Sequence, residues 1–223
     1  MTIRTLHIDF VSDVACPWCA VGLNALERAL ESLRVSHGDA LAVELQFQPF
    51  ELNPTLGPQG EDAAGHLKSK YGMDDAQLEA ARATLRERAA AVGFEFGERR
   101  RVWNTFDAHR LLHHAGVVDA QAQRRLKHAL LQAYHRDDRN PGAPDVLLDA
   151  AAQAGLDLDA ARAVIAGDTY ADEVRAAEQA WQRAGIRAVP SVVVERRHLL
   201  QGAQSPEVYA RTLLELAGAA GAR

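Results

Sequence analysis

With 223 residues, 48% of them hydrophobic, the chain is long enough for one enlarged domain or two small ones around a real core. Its formal charge of −5 is spread without a long basic run, which argues against nucleic acid as a partner, and no stretch reaches the roughly 18 unbroken apolar residues of a membrane span. Only two cysteines are present, and the start from Met1 to His7 lacks the apolar core of a secretion signal, so the expectation is a reducing cytoplasm and no disulfide-stapled scaffold.

Residues 3–11 carry Leu6, Ile8 and Phe10 in alternation, which predicts a strand. The stretch Asp13-Val14-Ala15-Cys16-Pro17-Trp18-Cys19-Ala20-Val21-Gly22 follows. Pro17 suits the first position of a helix, where its missing N–H is not needed and its φ is already helical. That helix is predicted from Pro17 to about Val35, with Val21, Leu26, Leu30 and Leu33 on one face and Gly38 near its end. Leu41 to Phe47 alternates again and reads as a second strand. Strand, helix and strand in such close succession imply a right-handed crossover with parallel pairing. Gln48-Pro49-Phe50-Glu51-Leu52-Asn53-Pro54, with Gly57, Pro58 and Gly60 behind it, marks an exit from the sheet.

From residue 61 to about 186 the pattern is helical almost throughout. Segments Glu61–Tyr71 and Asp74–Val92 stop at Gly72 and Gly93, and Phe94-Glu95-Phe96 makes a short connector. Asn104-Thr105 offers a cap for a helix that reaches Ala115 and is closed by Gly116. Asp119 caps another through Tyr134, and Pro144 opens one that buries Val146, Leu147 and Leu148 before ending at Gly155. Asp157 begins a short helix, and Thr169–Ala184 is the last of the set. Nothing repeats at a fixed period, so a bundle is expected rather than a solenoid. After Gly185 the character changes. Ala188 to Glu195 is β-branched, Arg196-Arg197 suggests a turn, and His198 to Gly202 completes a hairpin. Ser205-Pro206 opens a closing helix along Val208, Leu213, Leu214 and Leu216.

Chemistry concentrates at Cys16 and Cys19. A thiolate at a helix start gains from unpaired N–H groups and the positive end of the dipole, which makes a weakly acidic thiol reactive near neutral pH. Two alternatives stand beside a redox dithiol. Zinc would need two more ligands, yet no second C-x-x-C or H-x-x-x-H pair exists, and the histidines at 109, 113 and 114 lie far along the chain. A purely structural pair fits poorly with a proline between the thiols. Pro190, opening a strand, leaves an edge without an N–H where an extended substrate could pair beside Cys16; the plainer reading is an ordinary strand-start proline. His109 and Asn104 are softer candidates, since a histidine in a helical bundle is commonly a satisfied interior group. Ser12 and Ser191 have no base beside them, so hydrolase chemistry has no support. Arg99-Arg100-Arg101, bordered by Glu95 and Glu98, reads as a solvated face.

In order, Asp13-x-x-Cys16-Pro17-Trp18-Cys19-x-x-Gly22, Gln48-Pro49-Phe50-Glu51-Leu52-Asn53-Pro54, Asn104-Thr105-x-x-Ala108-His109-Arg110-Leu111, Val189-Pro190-Ser191-Val192 and Gln201-Gly202-Ala203-Gln204 resemble the DsbA-like branch of the thioredoxin superfamily, its FrnE-like members above all. The resemblance implies an α/β thioredoxin fold, β-α-β and β-β-α, with a large all-helical domain inserted. Residues 1–55 and 187–223 would form its two halves and 56–186 the insert. It further implies disulfide exchange through a mixed disulfide at Cys16, resolved by Cys19, opposite a cis Pro190. Pro17, Trp18, Val189 and Pro190 would bind substrate, with Asp13, Phe50, Asn104 and His109 as candidates for lining a groove between Trp18 and the insert. No metal and no cofactor beyond the redox-active disulfide are implied, with glutathione an option as co-substrate. Partners would be proteins or small molecules carrying thiols or disulfides, without nucleic acid or membrane. Strongly oxidising relatives have a histidine between the cysteines; Trp18 adds no charge and Asp13 adds a negative one, so a milder oxidant or an isomerase is expected. Related chromene-carboxylate isomerases and kappa-class glutathione transferases use serine where Cys16 stands, which leaves glutathione-dependent isomerisation as the alternative and a peptide-binding scaffold as a third.

Overall fold

The structure is a computed structural model that describes residues 4–38 and 41–219. Residue 3, the first of the expected strand, lies outside them. Strand β1 (Arg4–Ser12), helix α1 (Pro17–His37) and strand β2 (Leu41–Pro49) form the crossover, with β1 and β2 parallel from Arg4 beside Leu41 to Ser12 beside Pro49. The alternation in β1 decides which face meets α1. Leu6, Ile8 and Phe10 are buried with Leu23, Leu26 and Leu33 of the helix, while Val11, on the other face, joins Phe50, Ile186 and Val193. Phe10 and Phe47 meet edge to face at 5.9 Å, pinning the β1–β2 pairing from inside.

The chain returns to this sheet at its far end. Strand β5 (Ser191–Val194) pairs antiparallel with β1, and β6 (His198–Gln201) with β5, giving the order β2-β1-β5-β6. The connecting turn puts Glu195 and Arg196 at φ of 54° and 52°, and Glu195 is held by hydrogen bonds to His7 in both directions. Helix α9 (Pro206–Ala219) then packs beside α1 and buries Tyr209 and Leu213. Each such side chain, moved from water to core, contributes about 1.5–3 kcal/mol.

Between the halves lie α2 (Ala63–Tyr71), α3 (Asp75–Ala91), α4 (Phe106–Val118), α5 (Ala120–His135), α6 (Pro144–Ala154), α7 (Leu158–Ala166) and α8 (Ala171–Arg183). The expected cap Asp119 is in place, and Asp74 and Asp157, read as segment starts, cap their helices too; the three carboxylates accept from Ala122, Gln77 and Ala160. A two-residue ribbon of β3 (Glu61–Asp62) with β4 (Arg101–Val102), absent from the sequence reading, closes this part. Gly116 does not end α4. The helix runs to Val118, and a Cβ at Gly116 would stand 2.6 Å from Gln123 Nε2, so the glycine makes room for Gln123, which bonds to both the N–H and the carbonyl of Phe47. Leu148, expected inside, is only half-buried.

The helices have their own core, from Leu111 and Leu126 to Leu147 and Val164, yet neither core is closed. Val14, next to the dithiol, sits in the helical core, whereas Ala89, Val92, Phe94 and Leu131 of the helical region sit in the sheet core. Arg110 is buried on α4 and spends its guanidinium on Asp107, Thr169 and the carbonyls of Val164 and Gly167 at the end of α7, where the dipole favours a cation. No described helix is long and apolar enough to cross a membrane.

Candidate active site

Cys16 is the N-cap of α1, with an extended backbone at φ −86° and ψ 114°, and Pro17 opens the helix. No side chain caps this end, so the first-turn N–H groups face the Cys16 sulfur. Cys16 N–H donates to the Asp13 carbonyl at 3.2 Å, and its Sγ lies 3.5 Å from the Val189 carbonyl. Cys19, one turn on, is fully buried, and both cysteines are free thiols. Their acidities part. The hydrogen bond from Cys19 draws the Cys16 thiol down, helped by the amides of Cys19 and Trp18 and opposed by burial and the Asp13 charge. Burial pushes Cys19 well up, and Cys16 adds to it, against a weaker pull from Lys127.

Beneath the dithiol, Asp13 is completely buried and fully engaged. Its Oδ2 accepts from Leu52 N–H at 2.7 Å; its Oδ1 accepts from Ala15 N–H at 3.0 Å, Thr105 Oγ1 at 2.7 Å and His109 Nε2 at 3.4 Å. Burial alone would raise this carboxyl, but His109 and the two amides outweigh it and the net shift is downward. Three of the five stretches that carry the resemblance therefore meet at one carboxylate: the dithiol loop through Ala15, the sheet exit through Leu52, and α4 through Thr105 and His109. Thr105 was expected as a helix cap; its hydroxyl goes to Asp13 instead, and Asn104 Oδ1 takes Phe106 N–H at 2.9 Å. Close by, His135 Nε2 donates to the Val14 carbonyl at 2.8 Å, and burial holds its pKa down to about 3, so it braces the loop as a neutral ring.

The Val189–Pro190 peptide bond is cis. Pro190 packs on Gly22, where an added Cβ would stand 2.9 Å from Pro190 Cγ and 3.5 Å from Ala203 Cα. Gly202 N–H donates to the Pro190 carbonyl at 2.8 Å, so the remaining two stretches also meet here. Trp18, Pro17 and Val189 are half-buried around Cys16, which itself exposes 4% of its surface.

The four groove candidates do not line an open groove. Asp13 and His109 are interior and bonded to each other, and Phe50 is buried against Val11, Ile186 and Val193. Asn104 is half-buried and occupied by its own helix start. The reason is that the sheet exit and α4 close directly over Asp13, while Trp18 and Val189 on the other side of Cys16 stay half-buried. Lys127 was not singled out from the sequence, yet it is 1% exposed on α5 and feels Cys19, Asp13 and Cys16; burial lowers its pKa. Its signal was legible: the turn-spaced series Gln123, Leu126, Leu130 and Tyr134 makes 127 an interior position, and lysine is rarely found there. Lys127, His109, Gln48 and His113 line a cavity of about 30 Å³ with Phe47, Pro49 and Leu112, enough for one water. Among the described residues no cluster of His, Cys, Asp or Glu is placed to hold a metal ion.

A family model described as a DSBA-like thioredoxin domain matches residues 7–214. The chain is 35% identical to a crystal structure titled a probable DsbA oxidoreductase from Streptomyces coelicolor, covering 96% of this chain and 90% of that one with a TM-score of 0.85. An uncharacterised protein of Bacillus subtilis (strain 168), YwbO, is 26% identical over 212 residues, which is 94% of this chain and 96% of that one. The cytosolic disulfide reductase DsbM from Pseudomonas aeruginosa, solved with glutathione, shares the fold at 19% identity, with a TM-score of 0.62 over 96% of this chain and 99% of that one.

Proposed function

Because the chain belongs to the DSBA-like thioredoxin family, we propose that it is a thiol–disulfide oxidoreductase working through Cys16 and Cys19. The observation that carries this reading is the seat of Cys16, at the uncapped start of α1 and 3.5 Å from the Val189 carbonyl, with Cys19 buried one turn behind. The Cys16 thiolate attacks a substrate disulfide, forming a Cys16–substrate bond and expelling the other half as a thiol once it takes a proton. Cys19 then loses its proton and attacks the Cys16 sulfur, releasing the second half and leaving the protein disulfide. Two electrons pass to the substrate, and the run in reverse oxidises a dithiol. The Val189 carbonyl, at the rim, lies where an extended substrate backbone can bond.

Cys16 supports disulfide chemistry over glutathione-assisted isomerisation, which in the related isomerases proceeds with serine at this place. Glutathione bound to the Pseudomonas reductase supports it as a co-substrate here, and that protein's cytosolic location supports a reducing compartment for this one. The test is reduction of insulin disulfides by wild type, Cys16→Ser and Cys19→Ser. Cys16→Ser should be inactive, and Cys19→Ser should accumulate a mixed disulfide visible by mass. Full activity in Cys16→Ser would end the proposal.

A further inference from the structure

The run Arg99-Arg100-Arg101 does not behave as one solvated face. Arg100 pairs with Glu98 at 2.9 Å and reaches Asp138 at 3.8 Å. Arg101 donates to the carbonyls of Gln59 and Gly60 and lies over Trp103, 5.1 Å from the ring centre. Arg99 differs from both. It is half-buried, and no described carboxylate forms an ion pair with it, although the chain holds 30 acidic residues against 25 basic ones. Its Nη1 donates to the Ala15 carbonyl at 3.3 Å, one residue before Cys16, and its guanidinium lies over the buried Tyr134 ring at 5.7 Å. The exposed Tyr71 is near enough to feel the charges of both Cys16 and Arg99.

A guanidinium has five N–H donors, and its bonds to the Ala15 carbonyl and the Tyr134 hydroxyl do not use them all. A brace for that carbonyl alone would not require the delocalised, always-charged fork, which matches a carboxylate in two-point contact. We propose that Arg99 anchors a substrate carboxylate at the mouth of the dithiol, so that the preferred substrates are low-mass disulfides bearing carboxylates, of the glutathione disulfide class. This rests on the dithiol reading above. Held by its carboxylate, the disulfide presents one sulfur to the Cys16 thiolate. The new Cys16–S bond forms as the substrate S–S bond breaks, and resolution by Cys19 yields two product thiols that carry the two protons of the original dithiol.

The experiment follows oxidation of the reduced protein by glutathione disulfide (anionic), hydroxyethyl disulfide (neutral) and cystamine (cationic), using the change in Trp18 fluorescence. Wild type, Arg99→Met, Arg99→Lys and Arg99→Glu are compared at low and at moderate salt. The ratio of second-order rate constants, anionic over neutral, should fall about three- to tenfold in Arg99→Met, recover partly in Arg99→Lys, and shrink in wild type as salt rises. Arg99→Glu should turn the preference toward cystamine. If Arg99→Met slows all three disulfides by the same factor, Arg99 is a brace for the loop and the proposal is overturned. An unchanged ratio in every variant overturns it as well. Wild type that reacts with none of the three disulfides would instead remove the dithiol reading, a different failure from loss of discrimination.

Discussion

The floor and the rim of the dithiol site are built on opposite principles. On the floor, Asp13 satisfies four donors drawn from three separated parts of the chain, is wholly buried, and stays ionised. At the rim, the Cys16 sulfur is shared by the Cys19 thiol and the first-turn amides, the Val189 carbonyl is turned toward it, and Arg99 has no carboxylate among the described residues. A buried polar group left without partners costs about 1–3 kcal/mol, so the floor is tied off; at a wet edge the cost is small, and unfilled bonding capacity is kept for a visitor. The contrast explains how one sheet-and-helix junction can be stiff and still receptive.

The strongest way to break the comparison is to empty the floor. Asp13→Ala strands the Leu52 and Ala15 amides, the Thr105 hydroxyl and His109 in the interior, and should cost about 3–5 kcal/mol in urea unfolding. Asp13→Asn retains an acceptor and removes the charge, so it should lose less stability. Because the Asp13 charge raises the Cys16 pKa, the same variant should carry a more acidic Cys16 than wild type, seen in thiolate absorbance against pH. A Cys16 titration that does not move would show that Asp13 supports the loop without tuning the sulfur.

Gly22→Ala comes next in size and strikes the junction of floor and rim. The new methyl would meet Pro190 Cγ at 2.9 Å, closer than packed carbons tolerate. The expected loss is about 1–3 kcal/mol, with slower disulfide exchange as Pro190 moves relative to Cys16. Normal exchange kinetics in a destabilised Gly22→Ala protein would separate the packing role of Gly22 from the site.

The legible part of the molecule was the part written in local pattern. Alternation in Leu6, Ile8 and Phe10, the Pro17 start and the acidic caps each depend on neighbours within a turn, and they placed the crossover, the terminal hairpin and most of the helical region. What escaped was long-range or too short to leave a period. The ribbon of Glu61–Asp62 with Arg101–Val102 is two residues wide, below any alternation signal. Gly116 looked like a stop because the demand on it comes from Gln123, in the next helix. Phe50 and His109 read as groove residues because their stretches resemble functional ones, whereas His109 bonds to Asp13 on the floor and Phe50 packs with Val11, Ile186 and Val193. The Asp13 cluster could not be read at all from spacing, for two of its donors are main-chain amides and the others lie 92 and 96 positions away.

Lys127→Met tests an interior charge that has no ion pair among the described residues. Removing it relieves a buried ammonium of its desolvation cost, so stability should hold or rise by about 1 kcal/mol. Lys127, with a backbone hydrogen bond at Asp13, pulls the Cys19 thiol down, so its loss should raise Cys19 further and slow the resolving step relative to the first attack. Trapping the mixed disulfide by rapid acid quench reads that ratio; an unaltered ratio would leave Lys127 with no part in handling Cys19.

The smallest effect, and the finest probe of the contrast, is the pH dependence of the reduced protein's stability. Cys16 is an acid whose folded pKa is lowered, so its contribution is complete above the unfolded thiol value of about 8.5 and is lost as pH falls through its folded pKa. Cys19 is an acid whose folded pKa is raised, so its contribution is present below the unfolded value and is lost as pH climbs above it. The two opposing slopes meet near the unfolded thiol pKa. Stability of the reduced form, measured against the oxidised form in which neither thiol exists, should therefore rise as pH climbs from the folded Cys16 pKa toward that value, peak near it and decline beyond it. A monotonic rise to pH 10 would mean that Cys19 ionises as readily as it does unfolded, and the burial that separates the two sulfurs would have no energetic consequence.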